Sequence, residues 1–123
     1  MKEILITHRA ALDAGRIFNY SEQKWGTRVA TDYLSGIESA ISTIDQLPQG
    51  SLRPIPGFTE SPLRIIRVQE HMIVCVETSN IVCILALFHG AMNIHARLHQ
   101  LEPTLIQEFQ TQYQRWIAQK GNH

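Results

Sequence analysis

Several features that usually announce a chemistry are missing from this chain. It has only two cysteines, Cys75 and Cys83, with no Cys-x-x-Cys pair. That pattern points to free thiols packed as small hydrophobes in a reducing compartment, not to a disulfide framework. The two could still face each other across a hairpin, which leaves a bridge open. No apolar run approaches the ~20 residues needed to span a bilayer. The opening MKEILITHRA lacks the apolar stretch and small-residue cleavage site of a secretory signal, so a cytoplasmic location is expected. Neither sign of charge dominates: 11 basic and 11 acidic side chains give a formal net charge of zero. A strongly basic domain is the usual footprint of nucleic-acid binding, and this is not one. Glycine-rich phosphate loops, paired-carboxylate signatures, nucleophile motifs, repeats and low-complexity segments are also absent. No cofactor is implied.

What is present is an ordinary globular composition, 44% hydrophobic and 18% charged over 123 residues. One domain of this size buries a sufficient core without staples. Residues 4–7 (ILIT) have β character. Over 10–25 the apolar spacing turns helical, with Ala10, Ala14, Ile17 and Tyr20 on one face. Gly26 suits the end of that helix, because it adopts positive φ without a Cβ clash. Thr27 can cap a second helix whose stripe is Ala30, Tyr33, Ile37, Ile41 and Ile44, closed by Leu47-Pro48. Residues 9–47 therefore form an antiparallel helical hairpin. An irregular, proline-rich connection fills 48–62. Three strands follow, at 63–68, 71–77 and 80–88, separated by Gln69-Glu70 and Thr78-Ser79, as in an antiparallel meander. The last strand is apolar on both faces and is expected to be central. Residues 103–119 carry an amphipathic helix opened by Pro103. The fold class is α+β.

Histidines cluster at the end of the last strand. His95 and His99 share a helix face at a spacing that suits zinc, but a third ligand and a nearby carboxylate or cysteine are wanting. Surface histidines flanking a helix start are the simpler reading, and no metal site is assigned. An imidazole is the side chain best suited to move protons near neutrality. His89 at a strand end is therefore a candidate base, without a reaction to go with it. Arg53, Arg64, Arg67 and Arg97 could form an anion patch, but Arg64 and Arg67 differ in parity and point to opposite faces of a regular strand.

Taken in order, these residues resemble a known family. The first helix, with Ala10, Asp13, Ile17, Tyr20, Trp25 and Gly26, matches the pattern A..D...I..Y....WG of the ParE branch of the RelE/ParE toxins. The second matches at Ala30, Tyr33, Ile37 and Leu47-Pro48. The meander LRIIRVQEHMIVCVETSNIVCILALFHGAMNIHARL holds the family places of Arg64, His71, Ile84, Leu85, His89 and Met92. The usual aromatic pair of the middle strand is replaced by Val74-Cys75, and the usual Arg and Asp flanking Met92 by Ala91 and Asn93. The resemblance implies residues 1–99 as a ParE-like toxin domain, with 100–123 a helical extension expected to add a contact and not to complete the core.

The resemblance further implies the toxin of a type II toxin–antitoxin (plasmid stabilisation) system, which binds and poisons DNA gyrase. A cognate antitoxin with an N-terminal DNA-binding domain would neutralise it, so DNA is met only indirectly, with no membrane partner and room for a homodimer in the complex. Antitoxin-binding candidates are Phe18, Tyr20, Trp25 and Leu34; target-interaction candidates are Arg64, Arg67, His89, Asn93 and Arg97. No catalytic residue is assigned. The alternative is a RelE-like ribosome-dependent mRNA endoribonuclease using His89. That branch carries an arginine where Met72 stands and an aromatic where Gly90 stands. Cleavage through the 2′-hydroxyl needs a base, an acid and a cation, and His89 alone supplies one.

Overall fold

Thr7 ends a strand and starts a helix with the same side chain. Its backbone N–H continues the strand pairing to the Ile84 carbonyl at 3.1 Å, while its hydroxyl accepts the Ala10 N–H at 3.2 Å as an N-cap. The computed structural model describes residues 2–48, 50–58, 60–90 and 93–121. The elements are β1 (Glu3–Ile6), α1 (His8–Trp25), α2 (Thr27–Ser42), a 3₁₀ turn (Ile44–Gln46), β2 (Arg53–Pro54), β3 (Arg64–Val68), β4 (His71–Glu77), β5 (Ile81–His89) and α3 (Ile94–Gly121).

Gly26 alone joins α1 to α2. Its φ of 92° is a conformation that L side chains rarely adopt, which is why this position is glycine. Thr27 is the first residue of α2 and not its cap; its hydroxyl donates to Glu22 Oε2 at 2.9 Å. The helix stops at Ser42 and the 3₁₀ turn carries Ile44 into the core, so the hairpin closes several residues before Leu47-Pro48.

The described residues form a five-stranded sheet in the order β1-β5-β4-β3-β2. The meander is its antiparallel part; β1 adds to β5 in parallel, pairing Glu3–Ile6 with Ile81–Ile84. Short β2, in the stretch expected to be irregular, pairs with β3. The middle strand is thus β4, and β5 is second from an edge. It is nevertheless buried from Ile81 to Phe88, because helices cover both sheet faces.

On one face the hairpin packs Ala10, Ile37 and Ile44 against Ile73, Cys75, Val82, Ile84 and Leu87. On the other, Leu98 and Leu105 of α3 pack with Ile55, Phe58 and Leu63 against Val74, Val76, Ile81, Cys83, Leu85 and Phe88. Cys75 and Cys83 belong to opposite faces, so they cannot bridge, and both are free thiols. Burial pushes each thiol up to about 12, leaving no thiolate at neutral pH.

The terminal helix differs most from its sequence reading. It begins at Ile94, and Pro103 lies inside it. A proline in a helix interior removes a ladder hydrogen bond and costs about 3 kcal/mol. Here it is flanked by Leu98 and Leu105, both fully buried, and burying a leucine contributes roughly 1.5–3 kcal/mol. Packing therefore outweighs the proline. Far from adding a peripheral contact, α3 completes the second core. Beyond Leu105, the rings of Phe109, Tyr113 and Trp116 stack in near-parallel steps of 5.5 and 5.9 Å against that core. Arg9 holds Glu108 at 2.7 Å and Lys120 holds Glu3 at 3.3 Å, so both halves of the helix are tied to the N-terminal segment. The Trp116 indole and Lys120 hold the Glu3 carboxyl below its usual range, although the indole N–H closes no hydrogen bond of ordinary geometry.

Candidate functional site

The site starts from an irregularity in β5. From Glu77 to Cys75 the β4–β5 register pairs Glu77 with Val82 and Cys75 with Ile84, and the next pair is Val74 with Ala86. Leu85 has no partner across the ladder. Such a bulge shifts the alternation by one residue. Ile81, Cys83 and Leu85 face α3, and so do Ala86 and Phe88; Leu87 faces the hairpin. His89 therefore falls on the hairpin face, directly opposite His71. An unbroken register would have placed Phe88 opposite His71.

The bulge is held by α1. The Thr7 hydroxyl donates to the Leu85 carbonyl at 3.2 Å. Two residues on, Asp13 Oδ2 accepts the Leu87 N–H at 3.0 Å, since β1 has already ended and offers β5 no further partner. Burial pushes the Asp13 carboxyl up from its usual range, against the Leu87 N–H and the charges of Arg16, Arg9 and Arg97, which favour the anion. Arg97, on α3, is within electrostatic reach of Asp13.

At this end of the sheet three polar side chains converge on the hairpin face. The His71 and His89 rings meet edge to face at 5.1 Å. Tyr33, from α2, lies 2.6 Å from His71 Nδ1, and its oxygen accepts the Glu70 N–H at 3.2 Å. Burial, then the neighbouring His89, lowers the His71 pKa, so the ring is neutral. A neutral ring that accepts the Tyr33 proton at Nδ1 carries its own on Nε2. Burial raises the Tyr33 pKa as well, so it stays a donor. Arg67 reaches the same end from the other sheet face, since it pairs with Met72 and not with His71. A Cβ on Gly90 would stand 3.6 Å from its Nη2 and 3.1 Å from the Glu70 carbonyl, which accepts the Gly90 N–H at 2.7 Å. The chain turns tightly here under a guanidinium.

The expected target-interaction residues separate on this geometry. Arg67, His89 and Arg97 are exposed, and Arg67 lies beside Gly90, the residue after His89. Arg64 does not join them. It starts β3, three residues before Arg67, half-buried, with Nη1 donating to the Ser61 and Leu63 carbonyls at 3.0 and 2.9 Å. Asn93 is accounted for as a cap: its Oδ1 accepts the Ala96 N–H at 3.2 Å and its carbonyl the Arg97 N–H. Ala91 and Met92 lie outside the described residues. His95 and His99 turn away to Phe58, at 6.1 and 5.0 Å between rings, and His95 Nε2 contacts the Pro56 carbonyl at 2.6 Å. Among the described residues no group of three or more His, Cys, Asp or Glu side chains could hold a metal ion.

Tyr33 and His71 were not singled out as site residues from the sequence. Both hold family motif positions, which is the only signal that marked them; the pairing of His71 with His89 depends on the bulge.

The antitoxin-binding candidates lie on the hairpin. Tyr20 and Trp25 are more than half exposed, at 57% and 54%, with rings edge to face at 6.2 Å. Lys24 sits over both, 5.6 and 5.0 Å from the ring centres. Phe18 and Leu34 are half-buried, whereas Ile17 and Ile37 belong to the hairpin-side core.

Comparison with known proteins gives three findings. The family model described as "ParE toxin of type II toxin-antitoxin system, parDE" matches residues 4–94. The chain is similar to Toxin ParE1 of Caulobacter vibrioides, 38% identical over 48 residues, 39% of this chain and 50% of that protein. The match thus spans half the length of that curated relative. Among solved structures, a chain of a chromosomal ParDE TA system from P. aeruginosa superposes with a TM-score of 0.63 at 19% identity, covering 72% of this chain and 96% of that one. At that identity the likeness is one of fold. No helix among the described residues is long and apolar enough to cross a membrane.

Proposed function

Because the chain belongs to the ParE toxin family of type II toxin–antitoxin systems, we propose that it acts in the cytoplasm by binding DNA gyrase and trapping it on cleaved DNA. Membership of the family implies a cognate antitoxin; the proposal adds that this partner neutralises the toxin by docking on the hairpin. The observation that carries the reading is the family match over residues 4–94, which takes in the hairpin, the sheet and the end of β5. The exposed Tyr20–Trp25 pair with Lys24 above it agrees with recognition by contact. Aromatic side chains held in place by neighbours supply large contact area at low entropic cost. Antitoxin docking there leaves Arg67, His89 and Arg97 free to meet the target. The reading leaves room for a homodimer within the complex, and DNA is met only indirectly, through the antitoxin.

One observation favours a second reading. His89 does not stand alone, since its ring meets that of His71, which Tyr33 contacts in turn. Imidazoles and a phenol are groups that ribonuclease chemistry would ask for as base and acid, while the Arg67 guanidinium lies beside Gly90, from the other sheet face. Met72 and Gly90 still occupy the places of the cleaving branch's arginine and aromatic.

The test is direct. Purified full-length protein is added to gyrase supercoiling reactions and, in parallel, to ribosomes programmed with mRNA. Accumulation of gyrase-linked DNA breaks, abolished by the antitoxin, is expected. Ribosome-dependent mRNA cleavage that disappears in His89→Ala, with gyrase untouched, would replace this reading with the second.

A further inference from the structure

Helix α3 does more than close a core. Between α1 and α3 runs a groove of about 490 Å³, with Arg9, Leu12 and Arg16 on one wall and Glu108 and Arg115 on the other. The α3 wall lies beyond residue 94, where the family match ends, so the groove is built from an addition to the family domain. The Arg9–Glu108 ion pair at 2.7 Å ties its walls together. Three arginines and one carboxylate line it, and Arg16 reaches Asp13 Oδ1 at 3.4 Å, so the excess is one positive charge. Asp13, beside Arg16, turns its other oxygen to the Leu87 N–H. The first turn of α1 carries no acidic residue, so its positive end is not neutralised from within the helix.

The groove is also continuous with the hairpin surface. Leu12, Arg16, Tyr20 and Lys24 recur at every fourth position and form one exposed stripe along α1. It is about 18 Å long at 1.5 Å per residue. The stripe begins in the groove and ends in the Tyr20–Trp25 cluster. It is apolar, aromatic and basic, with no carboxylate, and Leu12 at its groove end is 47% exposed. A nucleic-acid backbone has nothing to place on Leu12 or Tyr20, whereas a peptide with alternating apolar and acidic side chains does.

We infer that an acidic, amphipathic segment of the neutralising partner runs along this stripe and seats its carboxylates in the α1–α3 groove, against Arg16 and Arg115. The inference rests on the antitoxin reading above and adds a contact that depends on α3. The segment is recognised by charge as well as by apolar anchoring, so the complex is salt-sensitive.

The probe is the full-length product of the small gene adjoining this one, titrated against the full-length toxin at low and high salt. Arg16→Glu combined with Arg115→Glu is expected to weaken binding at least tenfold and to flatten the salt dependence; the Gln pair should give an intermediate loss. Both positions are exposed, and unchanged far-UV spectra and melting would show that the variants fold. Arg53→Glu, exposed on β2 at the far edge of the sheet, should leave affinity unchanged. If the wild type binds and the double reversal binds equally well, the groove inference is overturned while the antitoxin reading stands. If the wild type does not bind the adjoining gene's product, the antitoxin reading and the groove inference both fail. Loss of affinity for duplex DNA in place of the protein partner would overturn the inference in favour of a nucleic-acid surface.

Discussion

The Thr7 hydroxyl accepts the Ala10 N–H and donates to the Leu85 carbonyl, each at 3.2 Å, so one oxygen starts α1 and anchors the bulge in β5. Removing it should cost twice. Loss of an N-cap is worth about 1 kcal/mol, and an unsatisfied buried carbonyl about 1–3 kcal/mol more. Thr7→Val keeps the shape and is expected to lose about 2 kcal/mol in urea denaturation, whereas Thr7→Ser keeps most of it. A valine variant within about 0.5 kcal/mol of wild type, the usual range for innocuous surface changes, would mean the hydroxyl anchors nothing.

Asp13 makes a second such attachment, through the Leu87 N–H at 3.0 Å. Asp13→Ala leaves that donor without its partner and should cost about 1–3 kcal/mol. Asp13→Asn retains an acceptor oxygen and removes a carboxylate whose burial disfavours its charge. It is therefore expected to be far milder, and near-equal losses in the two variants would argue against the hydrogen bond as the cause.

His71 predicts a pH dependence. Its folded-state pKa is depressed below the ordinary histidine value of about 6.5, chiefly by burial. The unfolded chain thus binds the proton more readily than the folded one. The associated stability is complete above the unfolded value and declines as pH falls below about 6.5. Denaturation midpoints measured from about pH 8 down to about pH 5 should fall through that window, and His71→Gln should flatten the slope. A midpoint that rises on acidification would contradict the assignment of His71 as a neutral acceptor.

The terminal helix can be tested by removal. Truncation after Glu102 strips Leu105, Phe109, Tyr113 and Trp116 from the core that covers Val74, Val76, Leu85 and Phe88. The product should be insoluble or lack a cooperative unfolding transition. Leu105→Ala, in the full chain, should cost about 2–5 kcal/mol, as for other fully buried leucines. A soluble truncated chain that unfolds cooperatively would show that the sheet face tolerates exposure.

Much of this was legible in the residues themselves. The spacing of Ala10, Ala14 and Ile17, the glycine at 26 and the stripe from Ala30 to Ile44 specify a helical hairpin, because local periodicity and positive φ are properties of the chain. The two-sided apolarity of 81–88 likewise required a cover on both faces of β5. That requirement, followed through, would have assigned α3 to the core. Pro103 hid it, since as a local signal proline marks a helix start, and only the burial of Leu98 and Leu105 overrides it. Parity correctly separated Arg64 from Arg67, because β3 is regular.

Parity failed in β5, where the strand is not regular. The sequence by itself determined the elements, the hairpin, the apolar faces and a histidine at the end of the buried strand. Tertiary structure alone decided which way that histidine faces. Leu85 drops out of the ladder where β1 gives way to α1 and the Thr7 hydroxyl takes its carbonyl. The resulting one-residue shift turns His89 to the hairpin face, opposite His71, whose ring Tyr33 contacts. A bulge is fixed by hydrogen bonds between segments far apart in sequence, 78 residues in the case of Thr7 and Leu85, so no local pattern around His89 could have revealed it.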